Sequence, residues 1–227
     1  MGSNMEIARH NFSGFVFGIL VFVDIYFFSG EYMFFLILGY LSLILTIAVF
    51  NTRKNNLLEA SFRSLSIFYI SLFLGTLILV REFPFATGYH IGGRFILVMF
   101  LSVWLCDTMA YFGGKTLGKH LLFPRISPKK TVEGGVSGFL SSIAVFVISH
   151  YTFFPELELT HAVILGIIIG VLGQLGDLIE SYFKRQTGVK DSSSILPGHG
   201  GILDRFDSLI FVSPFIYFYI KFIIIDI

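Results

Sequence analysis

Seven long stretches of the chain are almost entirely apolar, and short polar segments separate them. They cover approximately residues 12–29, 32–50, 65–82, 94–112, 135–151, 160–183 and 207–225. A helix that crosses the hydrocarbon core of a membrane needs about 20 mostly apolar residues. Because backbone groups in lipid must form hydrogen bonds within their own segment, helices are favoured over open strands or loops. The pattern predicts an all-α polytopic membrane protein with about seven transmembrane helices in one domain.

The composition agrees with lipid as the main solvent of this chain. Of 227 residues, 55% are hydrophobic and 14% are charged, whereas soluble domains contain about a quarter charged residues. A net charge of +1 gives no indication of nucleic acid binding, and the single Cys106 excludes an intrachain disulfide and a thiolate metal site. Residues 1–4, which precede Met5, are interpreted as an expression remnant outside the native fold.

Positively charged residues mark alternate loops and predict the orientation of the chain. Lys and Arg are more frequent in cytoplasmic loops than in loops on the other side of a membrane. With the N-terminus in the cytoplasm, the basic loops all fall on that side: 51–64, 113–134 and 184–206. The opposite loops hold no Lys or Arg: 30–31, 83–93 and 152–159. The polar loops 113–134 and 184–206 are therefore expected together on the cytoplasmic face.

Several acidic residues lie inside the apolar stretches, where ionisable groups are costly and are usually paired or functional. Asp107 lies near the cytoplasmic end of the fourth helix, and Asp177 and Glu180 lie near the same end of the sixth. Each could simply pair with a nearby lysine, but three acids at one depth beside basic loops favour a metal or phosphate site. Asp24, alone near the far end of the first helix, is interpreted as interfacial.

A row of glycines precedes Asp177 on the sixth helix. Gly166, Gly170 and Gly173 come 11, 7 and 4 residues before it, so they share approximately one helix face. Small residues allow membrane helices to approach each other closely. We therefore expect Asp177 to point into the helix bundle rather than towards lipid.

The polar segment from Ser181 to Asp207 has an unusual chemical composition. Four Lys and Arg residues lie there beside three aspartates, and Pro197 begins the sequence Pro-Gly-His-Gly-Gly. Glycines allow a tight turn in which backbone N–H groups face an anion. Basic side chains beside carboxylates suit a phosphate chain bridged by a divalent cation. A solvated loop explains the positive charges but not this glycine-rich turn and the Asp-Arg-x-Asp that follows it.

Two segments of this chain resemble the phosphatidate cytidylyltransferases, also called CDP-diacylglycerol synthases. Residues 181–207 contain every fixed position of the pattern S-x-x-K-R, K-D and P-G-H-G-G-x-x-D-R-x-D. Residues 107–113, Asp-Thr-Met-Ala-Tyr-Phe-Gly, and 127–134, Ser-Pro-Lys-Lys-Thr-Val-Glu-Gly, form the second similar segment. The resemblance covers about residues 100–220. The segment 113–120 looks like a P-loop, but it ends in His and follows a membrane helix, so we interpret it as a basic loop that is expected to help hold the nucleotide.

The resemblance implies a reaction, cofactors and partners. CTP and phosphatidate would give CDP-diacylglycerol and pyrophosphate with Mg²⁺ as cofactor, and a second, monovalent cation is an open alternative. A homodimer in the bacterial inner membrane, with its active site facing the cytoplasm, is the expected state. The phosphate of the lipid is itself the nucleophile, so the protein has to neutralise and align two anions.

We assign the expected roles by residue. The metal ligands are Asp177, Asp204 and, as a third or outer acid, Asp107. The phosphates would be held by Lys184, Lys190 and Arg205, and the triphosphate would be covered by Ser127, Lys129, Lys130 and Thr131. Ser181, Asp191 and Asp207 would support substrate binding around the lysines. His199 either donates to the leaving pyrophosphate or braces the glycine turn.

Two other functions fit parts of the pattern. A related enzyme could use CTP to activate an ether or isoprenoid lipid phosphate, since the lipid pocket cannot be identified from the sequence. An ion-coupled transporter would also contain intramembrane acids and glycine-rich helices. Its acids would be expected near the bilayer midplane, whereas here they lie at one end beside a basic loop.

Overall fold

The computed structural model describes residues 2–50, 56–85, 88, 90–186, 201 and 203–224. Within these ranges the chain forms α1 (Gly2–Phe28), α2 (Met33–Phe50), α3 (Asn56–Arg81), α4 (His90–Leu117), α5 (Val132–Thr152), α6 (Leu159–Gln186) and α7 (Leu203–Ile223). Each of the seven predicted stretches coincides with one of these helices. Among the described residues, six helices are long and apolar enough to cross a membrane, and α1 contributes the shorter apolar segment Phe12–Phe28. The predicted helical membrane fold is confirmed.

The chain divides into two compact units, Met1–Glu82 and Phe83–Ile227. In the first unit, α1 packs against α2 and α3 around a core that includes Phe17, Val21 and Tyr40. Asp24, interpreted from the sequence as an acid that stands alone at the interface, is buried and has a hydrogen-bond partner. Its Oδ1 accepts the backbone N–H of Tyr32 at 3.0 Å, so this carboxylate stabilises the turn between α1 and α2.

In the second unit, α4, α5, α6 and α7 pack in sequence, each on the next. The predicted glycine contacts on α6 are confirmed for two of the three positions. A Cβ on Gly166 would lie 2.6 Å from the Cα of Ile143, and one on Gly170 would lie 2.9 Å from the ring of Phe139. The nearest atom to a Cβ on Gly173 would be 3.8 Å away, which is ordinary contact. Gly166 and Gly170 therefore allow the backbones of α5 and α6 to approach closely.

The segment 113–134 is more ordered than the polar loop that the sequence predicts. Helix α4 continues past residue 112 to Leu117, so the interpretation of 113–120 as a loop is wrong over its first part. Two short antiparallel strands follow, β1 (Leu121–Phe123) and β2 (Ser127–Thr131). Thr131 then caps α5, because its side-chain oxygen accepts the N–H of Gly134 at 3.2 Å. The polar segment is thus a hairpin fixed between two helices.

The other polar segment also lies largely on helices where the structure describes it. Ser181 and Lys184 belong to the last turns of α6, which ends at Gln186. Asp204 and Asp207 belong to the first turns of α7. The predicted site residues of this segment are therefore presented by two helix ends of the second unit.

Candidate active site

A cavity of about 360 Å³ lies where α4, α5, α6 and the hairpin meet. Its charged and polar lining comes from residues far apart in the sequence: Asp107, Tyr111, Lys115, Lys129, Lys130, Thr131, Gln174 and Asp177. Small residues of α4 and α5 form much of the remaining wall. The structure therefore brings the acids of two helices to the same place as the lysines of β2.

The closest ion pair in the cavity joins the hairpin to α6. Lys130 Nζ donates a hydrogen bond to Asp177 Oδ2, and both side chains are partly buried. One turn further along α6, Ser181 Oγ lies 3.5 Å from Asp177 Oδ1. An ion pair of this kind places one positive and one negative group at the cavity wall.

A second ion cluster, which we call the Lys184 cluster, joins the end of α6 to the start of α7. Lys184 Nζ lies 2.5 Å from Glu180 Oε2 and 3.2 Å from Asp204 Oδ1. The other oxygen of Asp204 accepts the N–H of Gly201 at 2.7 Å. Glu180 is buried, and its Oε1 has no hydrogen-bond partner among the described residues. Lys184 thus neutralises a carboxylate that is almost removed from solvent.

Asp207 connects the cavity and the Lys184 cluster electrostatically. This buried carboxylate interacts with Asp177 and with Lys184, and Asp107 interacts with both Asp177 and Asp207. Asp207 Oδ1 also accepts the backbone N–H of Ser208 at 2.6 Å. Three aspartates therefore repel one another across a partly buried region, which favours binding of a cation there.

The remaining predicted site residues lie elsewhere or outside the described part of the chain. Ser127 pairs with Phe123 in the hairpin and is not part of the cavity lining. Lys190, Asp191 and His199 lie outside the residues that the structure describes, as does the side chain of Arg205. Their expected roles therefore stay predictions.

The structure adds Tyr111 and Gln174 to the predicted site, and it places Lys115 of the basic segment 113–120 in the cavity lining. Tyr111 and Lys115 follow Asp107 by one and two helical turns, so they share its face once α4 continues to Leu117. Gln174 lies one turn before Asp177, and its Nε2 donates to the carbonyl oxygens of Gly135 at 3.0 Å and Gly170 at 2.7 Å. Helical spacing from the two acids is the signal that could have identified all three.

The carboxylates are suited to a hard divalent cation, although they do not form a complete protein cage. Among the described residues, no group of three His, Cys, Asp or Glu side chains could by itself hold a metal ion. Asp177 and Asp204, two of the predicted ligands, are paired with Lys130 and Lys184. Mg²⁺ is commonly bound by one or two carboxylates together with substrate phosphates, and the aspartates near the cavity supply that part of a site.

The fold and the cavity define a class: a helical integral membrane protein with a cavity lined by both acidic and basic side chains. Comparison with known proteins identifies the family. The cytidylyltransferase family profile matches residues 3–223, and the chain belongs to this family.

Several bacterial relatives are similar over most of this chain. The phosphatidate cytidylyltransferase of Staphylococcus saprophyticus is 45% identical over 172 residues, which are 76% of this chain and 63% of the relative. The proteins of the same name from Staphylococcus haemolyticus and Staphylococcus aureus are 42% and 43% identical, with the same coverage. The matched part of the chain thus spans about 63% of the length of these curated relatives.

Proposed function

We propose that this protein transfers the cytidylyl group of CTP to phosphatidate, giving CDP-diacylglycerol and pyrophosphate. The observation that carries the proposal is the cavity whose lining combines Lys115, Lys129 and Lys130 with Asp107 and Asp177. Membership of the cytidylyltransferase family supports the reaction class. The name of the similar Staphylococcus proteins supports phosphatidate as the acceptor.

The residues of the cavity suit a transfer between two anions. A phosphate oxygen of phosphatidate would attack the α-phosphorus of CTP, and the bond from that phosphorus to the pyrophosphate oxygen would break. No side-chain nucleophile is needed, because the lipid phosphate is already one. The lysines of α4 and β2 would reduce the repulsion between the two phosphate groups and hold them in line, which lowers the barrier by positioning and charge stabilisation.

Mg²⁺ fits the carboxylates of this site. Asp107 and Asp177 would hold it at the cavity wall together with substrate phosphate oxygens, and Asp207 would add negative charge behind them. Bound there, the ion would supply charge neutralisation for the triphosphate. Asp204 is engaged by Lys184 and by the backbone of Gly201, which favours a role in positioning that lysine.

The orientation and assembly of the protein complete the proposal. We place the cavity at the cytoplasmic face of the bacterial inner membrane, because the basic segments 113–134 and 184–206 follow the positive-inside pattern. CTP would then enter from water and the lipid from the adjacent leaflet. A homodimer is part of the same proposal, and crosslinking in liposomes tests it.

The test is a product assay with purified protein in liposomes that contain phosphatidate. CTP and Mg²⁺ should give equal amounts of CDP-diacylglycerol and pyrophosphate, whereas UTP and ATP should give little product. Formation of a CDP-lipid only from an ether or isoprenoid lipid phosphate would support the related enzyme instead. Ion flux without nucleotide consumption would support a transporter, and the absence of any CDP-lipid would contradict the proposal.

A further inference from the structure

Glu133, in the first turn of α5, binds the chain that enters strand β1. Its Oε2 accepts the backbone N–H of Lys119 at 3.0 Å and that of His120 at 3.3 Å. Its Oε1 lies 2.6 Å from Nδ1 of the His120 ring. Glu133 is not among the residues that line the cavity. One carboxylate thus holds the start of the hairpin against the helix that follows the hairpin.

Two backbone hydrogen bonds form beside the same end of the hairpin. The N–H of Val132 donates to the carbonyl oxygen of His120 at 2.9 Å, and the N–H of Gly118 donates to that of Gly114 at 3.2 Å. An isolated two-stranded hairpin is at best marginally stable in water. The position of β2, which carries Lys129 and Lys130, therefore depends on these bonds at its base.

The location of Glu133 strengthens its bonds to the hairpin. A carboxylate in the first turn of a helix interacts favourably with the positive end of the helix dipole. Hydrogen bonds from backbone N–H groups to an ionised carboxylate are also stronger than bonds between neutral groups. His120 adds a third contact, although its side chain is 77% exposed. Most of the effect is therefore expected from the two backbone bonds.

We propose that Glu133 is a positioning residue for nucleotide binding. It holds the hairpin in the conformation that brings Lys129, Lys130 and Thr131 to the cavity, and it does so without touching the substrate. The identity of the nucleotide, CTP, rests on the proposed function. When a binding-competent conformation is populated only part of the time, the apparent affinity falls by that fraction. Loss of Glu133 should therefore weaken nucleotide binding more than it slows the chemical step.

The kinetic test compares substitutions of Glu133 with a matched control. Glu133→Ala should raise the Kd and KM for CTP about tenfold, with kcat and the KM for phosphatidate changed by less than about twofold. Glu133→Gln keeps an oxygen for the two backbone N–H groups, so it should restore most of the affinity. His120→Ala should have a smaller effect than Glu133→Ala. Glu158→Ala, the same change at an exposed acid before α6, should leave all constants unchanged.

A second measurement reports on the hairpin without any nucleotide. A spin label on Phe123→Cys, an exposed position of β1, is introduced in a Cys106→Ala background. Glu133→Ala should increase the mobility of this label, and a label on Tyr151→Cys, exposed at the end of α5, should not respond. The label therefore tests the anchoring of the hairpin independently of the reaction.

The two measurements separate failure of this inference from failure of the proposed function. CTP binding by the unchanged protein together with unchanged affinity in Glu133→Ala would overturn the inference alone. If Glu133→Ala lowered both kcat and the unfolding temperature but left the Kd for CTP unchanged, Glu133 would have a general structural role. That result would also overturn the inference. The absence of CTP binding by the unchanged protein would contradict the proposed function, and the label would still show whether Glu133 anchors the hairpin.

Discussion

Lys130 on strand β2 donates a hydrogen bond to Asp177 on helix α6, across 47 positions of sequence. This bond joins the hairpin to α6, and Asp107 of α4 lines the same cavity as Asp177. Lys130 already neutralises part of the negative charge of Asp177 that a bound cation would otherwise neutralise. Binding of a metal–nucleotide complex is therefore expected to compete with, or rearrange, the contact between Lys130 and Asp177.

The dependence of activity on Mg²⁺ should change when Asp177 loses its charge. Asp177→Asn keeps the size of the side chain but weakens cation binding, so activity at low Mg²⁺ should fall by about 100-fold or more, the range for loss of a group that stabilises transferred charge. Chelation should abolish the activity of the unchanged protein, and added Mg²⁺ should restore it. The measurement is a Mg²⁺ titration of CDP-diacylglycerol formation. An unchanged titration curve in Asp177→Asn would remove this residue from the metal site.

Lys115, which the sequence offered only as part of the basic segment 113–120, should contribute to nucleotide affinity. It lines the cavity, and loss of a charged hydrogen-bond donor costs about 1.5–3 kcal/mol. Lys115→Ala should therefore raise the KM for CTP by about 10- to 100-fold. Lys119→Ala is the control, because Lys119 is exposed and outside the cavity lining. Equal KM values in the two variants would contradict a nucleotide contact at Lys115.

Lys184 should be required for stability as well as for activity. Without it, the buried carboxylate of Glu180 loses its ion-pair partner, and leaving a buried acceptor unsatisfied costs about 1–3 kcal/mol. Lys184→Met should lower the midpoint of thermal unfolding in detergent, whereas Arg185→Met, at the exposed neighbouring position, should not. Removal of both charges in Glu180→Leu/Lys184→Met should recover part of the stability, since an apolar pair can replace a buried ion pair, whereas Asp204 still lacks its lysine partner. Recovered stability without recovered activity would agree with a role for Lys184 in the site.

Close packing of α5 and α6 should make Gly166 intolerant of a side chain. The new Cβ would meet the backbone of Ile143 at 2.6 Å, and overpacking of this kind costs about 1–3 kcal/mol. Gly166→Ala should therefore lower the unfolding temperature in detergent. Gly173→Ala on the same helix meets no atom closer than 3.8 Å and serves as the control. Equal unfolding temperatures for the two variants would contradict the packing of α5 on α6.

The sequence predicted those features that depend on strong local signals. Seven apolar stretches were long enough to identify the helices, and the spacing of Gly166 and Gly170 indicated a close helix contact. The hairpin was missed because the segment 121–131 is short and rich in Pro and Lys, which gives little strand periodicity. The helical continuation to Leu117 was missed because Gly113 and Gly114 are poor helix formers in isolation.

The site was predicted as a set of residues but not as an arrangement. Asp107, Asp177 and the lysines of β2 do line one cavity. Pairing of Asp204 with Lys184, and burial of Glu180 beneath them, depend on the packing of α7 on α6. Gln174 and Lys115 reach the cavity because they lie at helical spacing from Asp177 and Asp107, and not because they belong to a sequence motif. Contacts between distant segments are fixed by tertiary packing, which local sequence patterns do not contain.

Transfer of label from [α-³²P]CTP to phosphatidate in liposomes, compared between Lys130→Ala and Arg125→Ala, tests the central claim most directly. Both variants remove one positive charge from the same hairpin, but only Lys130 lines the cavity and binds Asp177. The unchanged protein and Arg125→Ala should form labelled CDP-diacylglycerol at similar rates, and Lys130→Ala should lose about 100-fold or more in kcat/KM. No labelled lipid from the unchanged protein, or equal rates in the two variants, would contradict the assignment of this cavity as the site of cytidylyl transfer.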